Sequence, residues 1–124
     1  MGLDMYAYTA AKAEADYETE QREIAYWRKH PNLHGWMEQL WEYKMMAEGK
    51  SINDRTFNGI ELELDWQDID KLERDINESK LPETSGFFFG EGADEYYKET
   101  DLEFVKRARA ELFLGLKVFY NSSW

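Results

Sequence analysis

Apolar and polar residues alternate from the start of the chain. Leu3, Met5 and Ala7 are separated by Asp4 and Tyr6, the period-two pattern of a strand with one buried face. Residues 10–21, rich in Ala and Glu, lose that period and read as a loop or a frayed helical turn. Residues 23–28 give a second strand, stopped by Pro31, because the residue before a proline is driven into an extended conformation. From Asn32 the spacing changes. Leu33, Trp36, Met37, Leu40, Trp41 and Lys44 recur at three and four, which predicts a helix ending near Gly49. Ile60, Leu62 and Leu64 alternate with Glu61 and Glu63, a half-buried strand.

Asp65 and Asp68 then stand in capping-box positions at the head of a second helix, with Ile69, Leu72 and Ile76 as its apolar stripe and Leu81-Pro82 as its end. Phe87, Phe88 and Phe89, between Gly86 and Gly90, predict a short buried strand or a tight aromatic loop; three successive Phe cannot share one face of a strand. Thr100 and Glu103 make another capping box, opening a third helix that carries Leu102, Val105, Ala108, Leu112 and Leu116. Residues 117–120 close the chain as a strand. The order β-β-α-β-α-β-α-β predicts an α+β fold in one domain spanning residues 1–124: a small, mostly antiparallel or mixed sheet with about three helices packed on it. Leu40, Leu62, Leu72, Val105 and Leu112 are its expected core.

Composition narrows the function. With 26 acidic and 15 basic side chains the formal net charge is −11, which argues against binding to a nucleic-acid backbone, since that needs a basic face. The same charge favours basic partners. The absence of cysteine excludes disulfides and thiolate metal sites and allows a reducing compartment. The first residues lack a basic start and a long apolar run, and no stretch approaches membrane-spanning length, so a soluble, cytoplasmic chain without a membrane partner is expected. Five Trp, eight Tyr and seven Phe exceed the fully buried slots of a domain this small, and several should line a pocket or an exposed patch.

One segment concentrates cations against that background. Residues 26–36 hold Tyr26, Trp27, Arg28, Lys29, His30, His34 and Trp36. Arg28 and Lys29 lead into the predicted helix start, where unpaired N–H groups and the helix dipole favour an anion. Tyr26, Trp27 and Trp36 offer flat surfaces for a base or sugar, and His34 a hydrogen bond or a proton. Arg28, Lys29, His34, Tyr26, Trp27 and Trp36 are therefore the candidate ligand-binding residues. The competing reading makes Leu33 and Trp36 core and pairs Arg28 and Lys29 with the abundant acids. His30 and His34 have metal-ligand spacing on a helix, but Pro31 places His30 outside it, and no metal is expected. Asp94 and Glu95 are an acid pair whose default is a solvated loop. Without a nucleophile–base pair, a cofactor fingerprint or a metal motif, the residues weigh against an enzyme, and no catalytic residue or cofactor is assigned.

Several blocks resemble a known group. Residues 1–6 (Met-Gly-Leu-Asp-Met-Tyr), Tyr26-Trp27-Arg28-Lys29, Asn32-Leu33-His34-Gly35-Trp36, Leu81-Pro82 with the Phe run, and the closing Ser122-Ser123-Trp124 are similar to a family of small uncharacterised proteins of bacteriophages and bacteria. The likeness runs from end to end through these short blocks; Leu33 and Gly35 depart from it, standing where a β-branched and a larger residue are expected. Some members carry the label phosphoglycerate kinase, which this chain is too short to be, and it has no phosphate-cradling loop. The resemblance implies a phage-type accessory protein, in the host cytoplasm if phage-encoded. Two functions follow as expectations: a binding protein for a small anionic or nucleotide-like ligand, or an acidic protein–protein interaction module that docks on a basic surface of a host protein.

Overall fold

The computed structural model describes residues 3–10, 21–28, 30–50, 57–82 and 93–123. Strand β1 (Asp4–Ala10) and strand β2 (Gln21–Arg28) pair antiparallel, with Ile24 as the extra residue where the register shifts between Ala7 and Tyr8. Helix α1 (Pro31–Ala47) follows, with Pro31 in its first turn, where a missing N–H costs nothing. Strand β3 (Leu62–Leu64) leads into helix α2 (Trp66–Asn77), whose start is fixed by a reciprocal capping box: the Asp65 carboxylate accepts from the Asp68 N–H at 2.9 Å, and the Asp68 carboxylate accepts from the Asp65 N–H at 3.0 Å. Helix α3 (Ala93–Phe113) and strand β4 (Lys117–Ser123) complete the described chain.

The four strands form one sheet in the order β2-β1-β4-β3, antiparallel throughout, so β1 and β4 are central and β2 and β3 are edges. The α+β architecture expected from the sequence is the one observed. Pleating sorts the side chains. Met5, Ala7, Trp27, Leu62, Leu64, Val118 and Tyr120 face inward and join one core with Leu33 and Met37 of α1, Ile69 and Leu72 of α2, and Phe104, Val105 and Ala108 of α3. Among the described residues all three helices pack on this inner face. Of the expected core, Leu62, Leu72 and Val105 are buried, while Leu40 and Leu112 are half-buried at its margin.

Several expectations need correction. Helix α3 begins at Ala93, not at Thr100; Thr100 lies inside it, and Glu103 pairs with Arg107 at 3.3 Å instead of capping. Tertiary contacts extend the helix backwards: Tyr97 stacks on His30 with ring centroids 4.8 Å apart, and Asp101 is buried against β2. The final strand runs three residues past Tyr120, carried by pairing of Asn121, Ser122 and Ser123 with β1. Ala10 and Gln21, expected in a loop, belong to β1 and β2, and Asp94 and Glu95 lie in the first turn of α3 and not in a loop. The expectations for residues 11–20, for the Phe87–Phe89 run, for the exposure of the Asp94 and Glu95 side chains and for Lys29 fall outside what is described.

Candidate functional site

The alternation of β2 divides the basic cluster between the two faces of the sheet. Trp27 points inward, fully buried, edge-on to Phe104 at 5.1 Å, and its indole N–H donates to Asp101 at 2.8 Å. His30, also fully buried, meets the other Asp101 oxygen at 2.8 Å. His34 is buried in α1, its Nδ1 2.7 Å from the Tyr120 hydroxyl and its ring stacked on Phe57. Burial pushes the His34 imidazole down to about 4, so at neutral pH it is uncharged. Trp36 is buried as well, its N–H donating to Asp75 at 2.9 Å. The start of α1 is enclosed, with His30, Pro31, Leu33 and His34 all buried and Asn32 partly exposed.

Tyr26 and Arg28 point the other way. They stand beside Asp4 on the outer face of the sheet: the Tyr26 hydroxyl donates to Asp4 Oδ1 at 2.7 Å, and Arg28 Nε lies 3.9 Å from the same oxygen. Of the six candidate residues, then, the structure brings Tyr26 and Arg28 together in solvent and sends Trp27, His34 and Trp36 into the interior, where each has a polar partner of its own; Lys29 is not among the described residues.

The outer face carries more than these two. Across β2, β1 and β4 the register aligns Tyr26 with Tyr6 and Asn121, and Glu23 with Tyr8 and Phe119. Tyr8 stacks on Phe119 at 5.5 Å and lies 6.4 Å from Tyr6. The Tyr8 hydroxyl donates to the Glu61 carboxylate; burial first, and that carboxylate second, raise its pKa above the ordinary tyrosine value. Tyr26 is 49% exposed, Tyr6 and Phe119 are half-buried, and Tyr8 is buried. The rim holds Asp4, Glu23, Glu61 and Glu63 against Arg28 and Lys117, with Lys117 Nζ 3.3 Å from Glu63. The face is thus a tyrosine-rich plane with two more acids than bases, and among the described residues no helix covers it. Sequence reasoning passed over Tyr6, Tyr8 and Phe119. Their signal was present: aromatics occupy the outward, nominally polar positions of the alternation.

Chemically the face offers stacking surfaces, hydroxyls and carboxylates, a set suited to binding. Among the described residues, no group of three or more His, Asp or Glu side chains is arranged to hold a metal, and no helix is long and apolar enough to cross a membrane. No protein-family model, curated protein or solved structure matches the chain.

Proposed function

We propose that this chain is a phage-type accessory protein that works as a protein–protein interaction module, docking the outer face of its sheet on a basic surface of a host protein. One observation carries the reading: an outer sheet face that no helix covers among the described residues, with Tyr26 exposed, Tyr6 and Phe119 half-buried and Tyr8 buried between them, within a rim of carboxylates. Tyrosine gives a large amphipathic contact at low conformational cost, and aromatics are enriched where proteins meet. The acid excess of the rim and the net charge of −11 both attract a cationic partner and steer its approach. The family resemblance supports the phage origin and hence a host partner. The test is an NMR titration with a basic helical peptide and, separately, with nucleotides. The peptide should shift the amides of Tyr6, Tyr26 and Phe119, with an affinity that falls as salt rises; a face that ignores the peptide and answers only to nucleotides refutes the proposal.

A second reading, a small anionic or nucleotide-like ligand, is favoured by Arg28. Its side chain is 64% exposed beside Tyr26, and among the described residues its one acidic neighbour is Asp4, met through Nε at 3.9 Å. Its outer guanidinium nitrogens are then placed to grip a phosphate or carboxylate. On that reading a bound ligand at about a hundred times its dissociation constant stabilises the fold by about 2.7 kcal/mol, and Arg28→Ala removes the gain. A thermal-shift screen of nucleotides and sugar phosphates in which Arg28→Ala responds as the parent does would refute it.

A further inference from the structure

We infer that the partner of this module is a folded basic surface and not an extended strand, because side chains from the helices cap backbone carbonyls at both edges of the sheet. The inference rests on the docking reading above and specifies its mode.

A partner that adds a strand needs a run of free outward N–H and C=O groups at alternate residues of an edge. On β2 the outward carbonyls at Ile24 and Arg28 are taken. Arg107 Nη1 of α3 donates to the Ile24 carbonyl at 3.5 Å, and the Tyr97 hydroxyl of α3 donates to the Arg28 carbonyl. Both caps are held in place, Arg107 by Glu103 and Tyr97 by its stack on buried His30. Alternation leaves the Tyr26 peptide between them, flanked by two capped carbonyls and with no cap of its own among the described residues. At the far edge, β3 has only three residues, and Lys44 Nζ donates to the Glu63 carbonyl at 2.7 Å while anchored to Asp68 at 2.6 Å. A short or capped edge is how native sheets avoid strand-to-strand association.

Charge does not single out the β2 edge: Arg22, Arg28 and Arg107 stand there against Glu23, Glu99, Glu103 and Glu111, with Arg22 paired to Glu111 at 2.7 Å, so it is the caps that disfavour a strand at this edge. The β3 cap is the Lys44 ammonium, and a basic partner is drawn to the outer face, where acids outnumber bases. A surface that presents Lys and Arg from helices or loops meets the face without asking for backbone pairing.

Two synthetic peptides of equal positive charge separate the modes: an Ala-Lys-Arg helix former and a Thr-Val-Lys strand former. In NMR titrations of the full chain, the helix former shifts the amides of Tyr6, Tyr26 and Phe119, and that response is lost in the double variant Tyr6→Ala with Tyr26→Ala. The strand former leaves hydrogen exchange at the Tyr26 amide unchanged in the parent, but in the folded double variant Tyr97→Phe with Arg107→Gln it slows exchange there. Three results overturn the inference: protection of that amide by the strand former in the parent, no gain in the uncapped variant, or loss of helix-former binding on uncapping. Silence of both peptides refutes the docking reading itself, and with it this inference.

Discussion

Asp101→Ala is the most demanding test of the interior. Asp101 is 1% exposed and receives two buried groups, the Trp27 indole N–H at 2.8 Å on one oxygen and the His30 ring at 2.8 Å on the other. It thereby joins α3 to β2 and to the segment entering α1. Truncation strands both partners. A buried donor without an acceptor costs about 1–3 kcal/mol, and breaking a buried ionisable pair by removing one member costs about 3–5 kcal/mol. The expected loss is about 3–5 kcal/mol, a large share of the roughly 5–15 kcal/mol that holds a domain together. For a chain of this size that is a fall in Tm of about 12–20 °C, at about 4 °C per kcal/mol. Asp101→Asn keeps an oxygen for Trp27 and disturbs only the His30 side, so it should lose less, about 1–3 kcal/mol. Urea unfolding followed by Trp fluorescence and far-UV circular dichroism gives both values. A parent-like midpoint for Asp101→Ala, within about 1 kcal/mol, would mean that this network does not tie α3 to the sheet.

Two more predictions concern the same core. His34 has its pKa lowered to about 4 by burial, so the unfolded chain binds a proton that the folded chain refuses between about 6.5 and 4. The stability this contributes is complete above the unfolded value and is lost as pH falls toward 4, by up to about 3 kcal/mol; a parent whose stability falls no faster through that window than that of His34→Gln contradicts the assignment. Leu72→Ala removes a fully buried side chain from the α2 stripe and should cost about 2–5 kcal/mol by urea unfolding, so a loss under about 1 kcal/mol would mean that the core is not built around this helix.

Much of the fold was legible because it is local. The Leu3-Met5-Ala7 alternation, the change of period at Asn32 and the Asp65–Asp68 capping box each belong to one element and depend on neighbours a few residues away. The start of α3 was not legible. Tyr97 and Asp101 look like surface residues, and contacts to His30 and Trp27, some seventy residues earlier, leave Tyr97 half-buried and Asp101 buried. Arg22 with Glu111 is a similar case: the carboxylate is buried against α3's own face while its cation arrives from β2. The candidate site was half legible. Period two in residues 23–28 already places Tyr26 and Arg28 opposite Trp27, so a reading by strand face would have split the cluster. The helix start drew attention as an anion site, but packing of His30, Pro31 and His34 encloses it, a consequence of the whole fold.

The central claim is that the outer sheet face meets a basic protein surface, and in-cell photo-crosslinking tests it most directly. A photoreactive amino acid replaces Tyr26 on that face, and in a second chain replaces Phe113, which is apolar and 82% exposed at the end of α3. Position 26 should yield one adduct of defined mass, with the crosslinked peptide of the partner rich in Lys and Arg, while position 113 yields none. Equal adducts at both positions, or an adduct at 113 alone, would contradict the account.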